Sequence, residues 1–116
     1  MIQLQTLIDY CTNKKESSIE FPFGDVPVCF KFKGYIFAEI YPNKGNYKIT
    51  VRCDAIMGEY YRKKYPGIVE PGYHTPRQQR RYKNTIMLEK EIEDKEVFKM
   101  IDESYETLLA KKQKNI

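Results

Sequence analysis

Val28-Cys29-Phe30-Lys31-Phe32-Lys33-Gly34-Tyr35-Ile36-Phe37-Ala38-Glu39-Ile40-Tyr41 is the stretch that decides the architecture of this chain. Val28, Phe30 and Phe32 alternate with Cys29, Lys31 and Lys33, the period of a strand that buries one face. Lys33-Gly34 then supplies a tight connection, glycine accepting a positive φ, into a second apolar run from Tyr35 to Tyr41. A β-hairpin is the reading.

On the carboxyl side, Pro42-Asn43-Lys44-Gly45-Asn46 is a further turn cluster. Tyr47, Ile49, Val51 and Cys53 follow in alternation with Lys48, Thr50 and Arg52, so three antiparallel strands make the expected core sheet. Asp54 has the chemistry of an N-cap for a helix over Ala55 to Tyr65, which must end before Pro66. Between Arg81 and Leu88 a second alternation predicts another strand, with Tyr82, Asn84, Ile86 and Leu88 on one side. Asp94 opens a long terminal helix whose stripe is Val97, Phe98, Ile101, Tyr105, Leu108 and Leu109. Lys111, Lys112 and Lys114 sit at its end, where cations complement the helix dipole. On the amino side, Ile2, Leu4, Leu7, Ile8 and Cys11 lie along one face of an opening helix over residues 2–13. Polar residues 13–18 break it, and Phe21-Pro22-Phe23-Gly24-Asp25 reads as a turn with two aromatic anchors.

The chain has 116 residues, the size of one domain, so a single domain over residues 1–116 is expected. Ten tyrosines and six phenylalanines bring a large apolar area, since each aromatic ring buries roughly 150–250 Å². No apolar run approaches the roughly 20 residues of a membrane span, and the amino end lacks the pattern of a secretory leader. A cytoplasmic protein without membrane contact is the expectation. Cys11, Cys29 and Cys53 are odd in number and scattered through apolar segments, which reads as reduced thiols rather than a disulfide or zinc framework.

Catalytic patterns are absent. The single histidine, His74, has no serine, cysteine or carboxylate beside it in a nucleophile arrangement, and its expected role is to fix its own loop. Glycines lack the spacing of a phosphate-cradling loop, and no ligand set for a metal can be assembled. The expectation is a protein that is not an enzyme and carries no cofactor.

Charge is the one functional signal. The net +4 of the chain divides into +1 for residues 1–58, +5 for residues 59–83 and −2 for residues 84–116. The basic segment holds Arg62 and Lys63 on the second helix, then Arg77, Arg80, Arg81 and Lys83, interleaved with Tyr73, His74 and Tyr82. Guanidinium and ammonium groups neutralise phosphates, and aromatic rings stack on exposed bases, so this mixture suits a nucleic-acid partner contacted through its backbone. The plainer reading is a solvated basic surface with inward-packing tyrosines. The high aromatic content also fits a protein partner received by the sheet or the aromatic loop.

Phe21-Pro22-Phe23-Gly24, Lys48-Ile49-Thr50-Val51-Arg52-Cys53-Asp54, Tyr65-Pro66-Gly67-Ile68, Pro71-Gly72-Tyr73-His74, Asn84-Thr85-Ile86 and Asp102-Glu103-Ser104-Tyr105-Glu106, in this order and at these separations, resemble the MmcQ/YjbR family of small bacterial proteins. The resemblance implies an α+β fold, a curved antiparallel sheet with flanking helices similar in architecture to type III secretion chaperones, and a DNA-binding role. The chain departs from that pattern after His74. An Arg/Gln-rich segment here ends in Tyr82-Lys83-Asn84 where the family carries His-Trp-Asn.

Overall fold

The computed structural model describes residues 1–114, with side chains described through Lys111; the Lys112 and Lys114 ammonium groups expected at the end of the last helix lie outside them. The fold is α+β: a six-stranded antiparallel sheet with three flanking helices. The strands are β1 (Ser17–Glu20), β2 (Val28–Phe32), β3 (Tyr35–Tyr41), β4 (Lys48–Arg52), β5 (Val69–Pro71) and β6 (Lys83–Met87), in spatial order β1-β2-β3-β4-β6-β5. The helices are α1 (Leu4–Thr12), α2 (Ala55–Lys64) and α3 (Asp94–Lys114). Among the described residues no helix is long and apolar enough to cross a membrane.

The hairpin forms where the alternation places it. Lys33 and Gly34 both take positive φ, 48° and 86°, the backbone twist that lets a two-residue turn follow the right-handed twist of its strands. Its register is not uniform. Phe30 faces Ala38 but Lys31 faces Ile36, so Phe37 is an extra residue on β3, a β-bulge. The bulge puts the neighbours Phe37 and Ala38, both fully buried, into the same core, where simple alternation would send one of them to the opposite face.

One face of the sheet carries the core: Phe30, Phe37, Ile40, Ile49 and Ile86 pack with Leu7, Val97, Ile101 and Leu108 from α1 and α3. Helix α3 lies across β3 and β4, and Tyr105 presents its edge to Phe32 and Phe37 at centroid distances of 5.2 and 5.4 Å. Successive helix positions point about 100° apart, and the Asp102-Glu103-Ser104-Tyr105 run uses this to reach four parts of the fold. Asp102 accepts from Tyr10 Oη at 2.6 Å and pairs with Lys14. Glu103 accepts from Tyr61 Oη on α2 at 2.7 Å. Ser104 Oγ accepts from the Arg52 amide at 2.8 Å and donates to the Phe37 carbonyl at 2.6 Å. Tyr105 Oη donates to the Lys15 carbonyl at 2.6 Å. Burial and the Asp102 bond push the Tyr10 hydroxyl up to about 12.

Two expectations are corrected. The sheet has six strands, not three or four, because β1 and β5 are short edge strands whose backbone groups pair with β2 and β6. Phe21 and Phe23 do not anchor their turn; they are 54% and 66% exposed, because the chain there swings past the edge of the core. The polar side of β4 is covered as well: Lys48 and Thr50 are buried beneath the loop of residues 72–76, which folds back over that face. Tyr73 N in this loop donates to Thr85 Oγ1 at 2.8 Å, and Thr85 shares a hydrogen bond with Thr50 at 2.7 Å.

Candidate functional site

Helix α2 begins as expected, with the Asp54 carboxylate accepting from the Met57 amide at 2.8 Å, and its last turn carries Arg62, Lys63 and Lys64. The segment expected as a loop after His74 instead contains a 3-10 helix, Arg77–Tyr82. Residues three apart eclipse in that helix, which sets Arg77 and Arg80 on one face with Arg81 beside them. Arg80 Nε donates to the Thr75 carbonyl at 3.1 Å and fixes the helix to the preceding loop.

Arg62, Arg77, Arg80 and Arg81 line one open groove of about 750 Å³, together with Pro71 and Gln78. Their charge is not neutralised: the ion pairs among the described residues are all made by lysines. Arg62 is also a structural group, its Nη1 donating to Asn84 Oδ1 at 2.6 Å, while Asn84 Nδ2 donates to the Gly58 carbonyl at 3.2 Å. Arg81 carries its guanidinium 4.9 Å from the Tyr82 ring centroid, within cation–π range, and Tyr82 is exposed.

The other expected site residues lie elsewhere. Lys63 is exposed and paired with Glu59 at 2.9 Å, one helical turn away, so its charge is already met. Tyr73, His74 and Lys83 line a separate pocket on the other face of the sheet. Lys83 alternates away from the arginines because its neighbour Asn84 takes the helix-facing position. The sequence reading missed Glu39 and Tyr41 of that pocket; the available signal was a carboxylate inside the otherwise apolar strand Tyr35–Tyr41. Burial pushes the Cys53 thiol beside α2 up to about 11, against the pull of Arg62, so it is held as a neutral thiol.

Gly58 explains how the arginine groove keeps its shape. A methyl group there would sit 2.6 Å from Cys53 Sγ, 2.9 Å from Arg62 Nη1 and 3.2 Å from the Arg81 carbonyl. Alanine normally stabilises a helix by about 1 kcal/mol over glycine, but overpacking costs about 1–3 kcal/mol. Gly58→Ala is therefore expected to lower the thermal midpoint; a midpoint equal to or above that of the parent protein would show that Cys53 and Arg62 yield freely.

A family model described as YjbR matches residues 12–107. Among solved structures, a Deinococcus radiodurans protein with a DUF419 domain superposes with a TM-score of 0.81 at 23% identity, over 90% of this chain and 77% of that one. A Pseudomonas syringae protein superposes with a TM-score of 0.69 at 21% identity, over 89% of this chain and 96% of that one. At these identities the likeness is one of fold. No curated protein matches.

Proposed function

The chain belongs to the YjbR family, and from its arginine groove we propose that it is a non-enzymatic nucleic-acid-binding domain whose ligand is DNA. The observation that carries this reading is the convergence of Arg62, Arg77, Arg80 and Arg81 on one groove with no carboxylate paired to any of them among the described residues. Guanidinium forks match phosphate oxygens two at a time, and Tyr82 offers a ring on which a base can stack. The groove reads no sequence by itself, since phosphate contacts position a nucleic acid without specifying it. A cytoplasmic, bacterial setting accords with the three unpaired thiols and the family resemblance.

Four phosphate contacts correspond to a slope near −3.6 in log K against log salt, a loss of about 10²-fold in affinity between 50 and 200 mM salt. A fluorescence-anisotropy titration with duplex and single-stranded DNA tests this. The double variant Arg77→Ala/Arg80→Ala is expected to weaken both and to lower the slope by about 2. Failure of either DNA to bind at low salt would remove the reading.

A second reading rests on Phe21, Phe23 and Val26, exposed in the segment that follows the edge strand β1, and on Tyr35, exposed on the β2–β3 hairpin. Exposed apolar side chains that cluster mark protein contacts, and this side of the sheet suits a protein partner or another copy of the chain. Self-association that persists at high salt in light scattering would favour it, whereas a monomer at all salt concentrations counts against it.

A further inference from the structure

The sheet face opposite the core carries a pocket of about 430 Å³ whose chemistry differs from the arginine groove. Strand register sets its floor. Glu39 pairs with Thr50, Thr50 with Thr85, and Arg52 with Lys83, so the Glu39 carboxylate and the Lys83 and Arg52 cations share this one face. Burial raises the Glu39 carboxyl, and Lys83 and then Arg52 pull it back. Glu39 is half-buried and makes no ion pair or hydrogen bond among the described residues, so its carboxylate is free to accept from a ligand where the pocket opens. Tyr41 lines the same pocket and is only 9% exposed, and burial pushes its hydroxyl up to about 12.

The walls are aromatic and held in place. Tyr73 meets Tyr41 edge-on at 5.2 Å, the buried Lys48 Nζ sits 3.2 Å from the Tyr73 ring centroid, and His74 tilts over Tyr73 at 3.9 Å. His74 takes a left-handed φ of 52°, a conformation that side chains other than glycine adopt infrequently. The exposed ring of Phe23 stands at the rim, which gives this turn a use that core packing does not.

We propose that this pocket receives a single nucleobase edge-on to Glu39 and Lys83, and that guanine is the base it fits best. A carboxylate accepts two hydrogen bonds at once, and guanine offers N1–H and N2–H side by side with O6 next to them as the acceptor for Lys83. Uracil and thymine present one such donor, and adenine and cytosine only an amino group. The volume lies within the range of small-molecule sites, and the exposed Phe23 ring at the rim supplies the stacking surface. For a base within a strand, the inference rests on the nucleic-acid reading above, with the arginine groove holding phosphates and the pocket reading one base. For a free nucleotide it stands alone.

The test titrates the protein with a short oligothymidine carrying one central dG or one central dA, and separately with guanosine and adenosine monophosphates. The expected result is a preference for guanine of about 10-fold or more in at least one of the two series, the size of one bidentate base contact. Glu39→Gln should abolish that preference and leave the salt slope intact, while Arg77→Ala/Arg80→Ala should weaken both oligonucleotides equally and leave it intact. Lys83→Met, which removes only the O6 partner, should reduce the preference and serves if Glu39→Gln fails to fold. If no oligonucleotide binds, the groove reading fails; saturable guanosine monophosphate binding that Glu39→Gln removes would still establish the pocket as a free-nucleotide site. Equal affinity for both bases in both series, or a preference unchanged by Glu39→Gln and Lys83→Met, overturns the inference.

Discussion

Phe37→Ala is expected to destabilise the protein by about 3–5 kcal/mol, the range for removing a fully buried aromatic ring. Phe37 has no exposed surface, touches the Phe30 and Tyr105 rings at centroid distances of 6.4 and 5.4 Å, and is the extra residue of the β3 bulge. Its ring is the physical reason why the bulge turns inward. Without it, the strand loses its reason to hold two consecutive residues against the helices, and the cavity cannot close by a one-residue slip, because a slip would turn Ala38 and Ile40 toward the opposite face. Urea denaturation should show a lower midpoint with an unchanged slope. A loss under about 1 kcal/mol would mean that the surrounding core relaxes into the space and that the bulge is held by something else.

Ser104→Ala is expected to cost about 2–4 kcal/mol although it removes a single oxygen atom. Ser104 is fully buried, and its hydroxyl serves two backbone groups, accepting from Arg52 N and donating to Phe37 O. Each group left unpaired in a buried site costs about 1–3 kcal/mol. Thr107→Ala is the matched control, since Thr107 Oγ1 bonds the Glu103 carbonyl at an exposed position of the same helix; that change should stay within about 0.5 kcal/mol. The double variant of Phe37 and Ser104 should be less destabilised than the sum, because both act through the same bulge. Equal effects of Ser104→Ala and Thr107→Ala would remove the assignment of Ser104 as the link between α3 and the sheet.

Much of the fold was legible because its signals are local. Alternation in Val28–Phe32 and Tyr47–Cys53, the Asp54 cap and the apolar stripe of the last helix each depend on residues within one element, and all reappear in the structure. Edge strands were not legible. Ser17–Glu20 has a single apolar residue, Ile19, and Val69–Pro71 is three residues long and ends in proline, so neither carries a period; each exists because a neighbouring strand offers it backbone partners. Within the candidate site, Arg77, Arg80 and Arg81 were legible as a cluster because a short helical turn keeps near neighbours together. Arg62 joins them only through the packing of α2 beside the 3-10 helix, and Lys83 leaves them because strand alternation turns it to the other face.

The amino-acid sequence on its own determined the α+β class, the family and the +5 segment, since period, capping and charge are properties of consecutive residues. Tertiary structure alone decided which of those charges share a groove, and it brought Glu39 of β3 into one pocket with Tyr73 and His74 of a distant loop. That juxtaposition depends on strand order, on one bulge and on a loop folded back by the Tyr73–Thr85 hydrogen bond. Each of these is a contact between residues far apart in the chain, and no local pattern encodes such a contact.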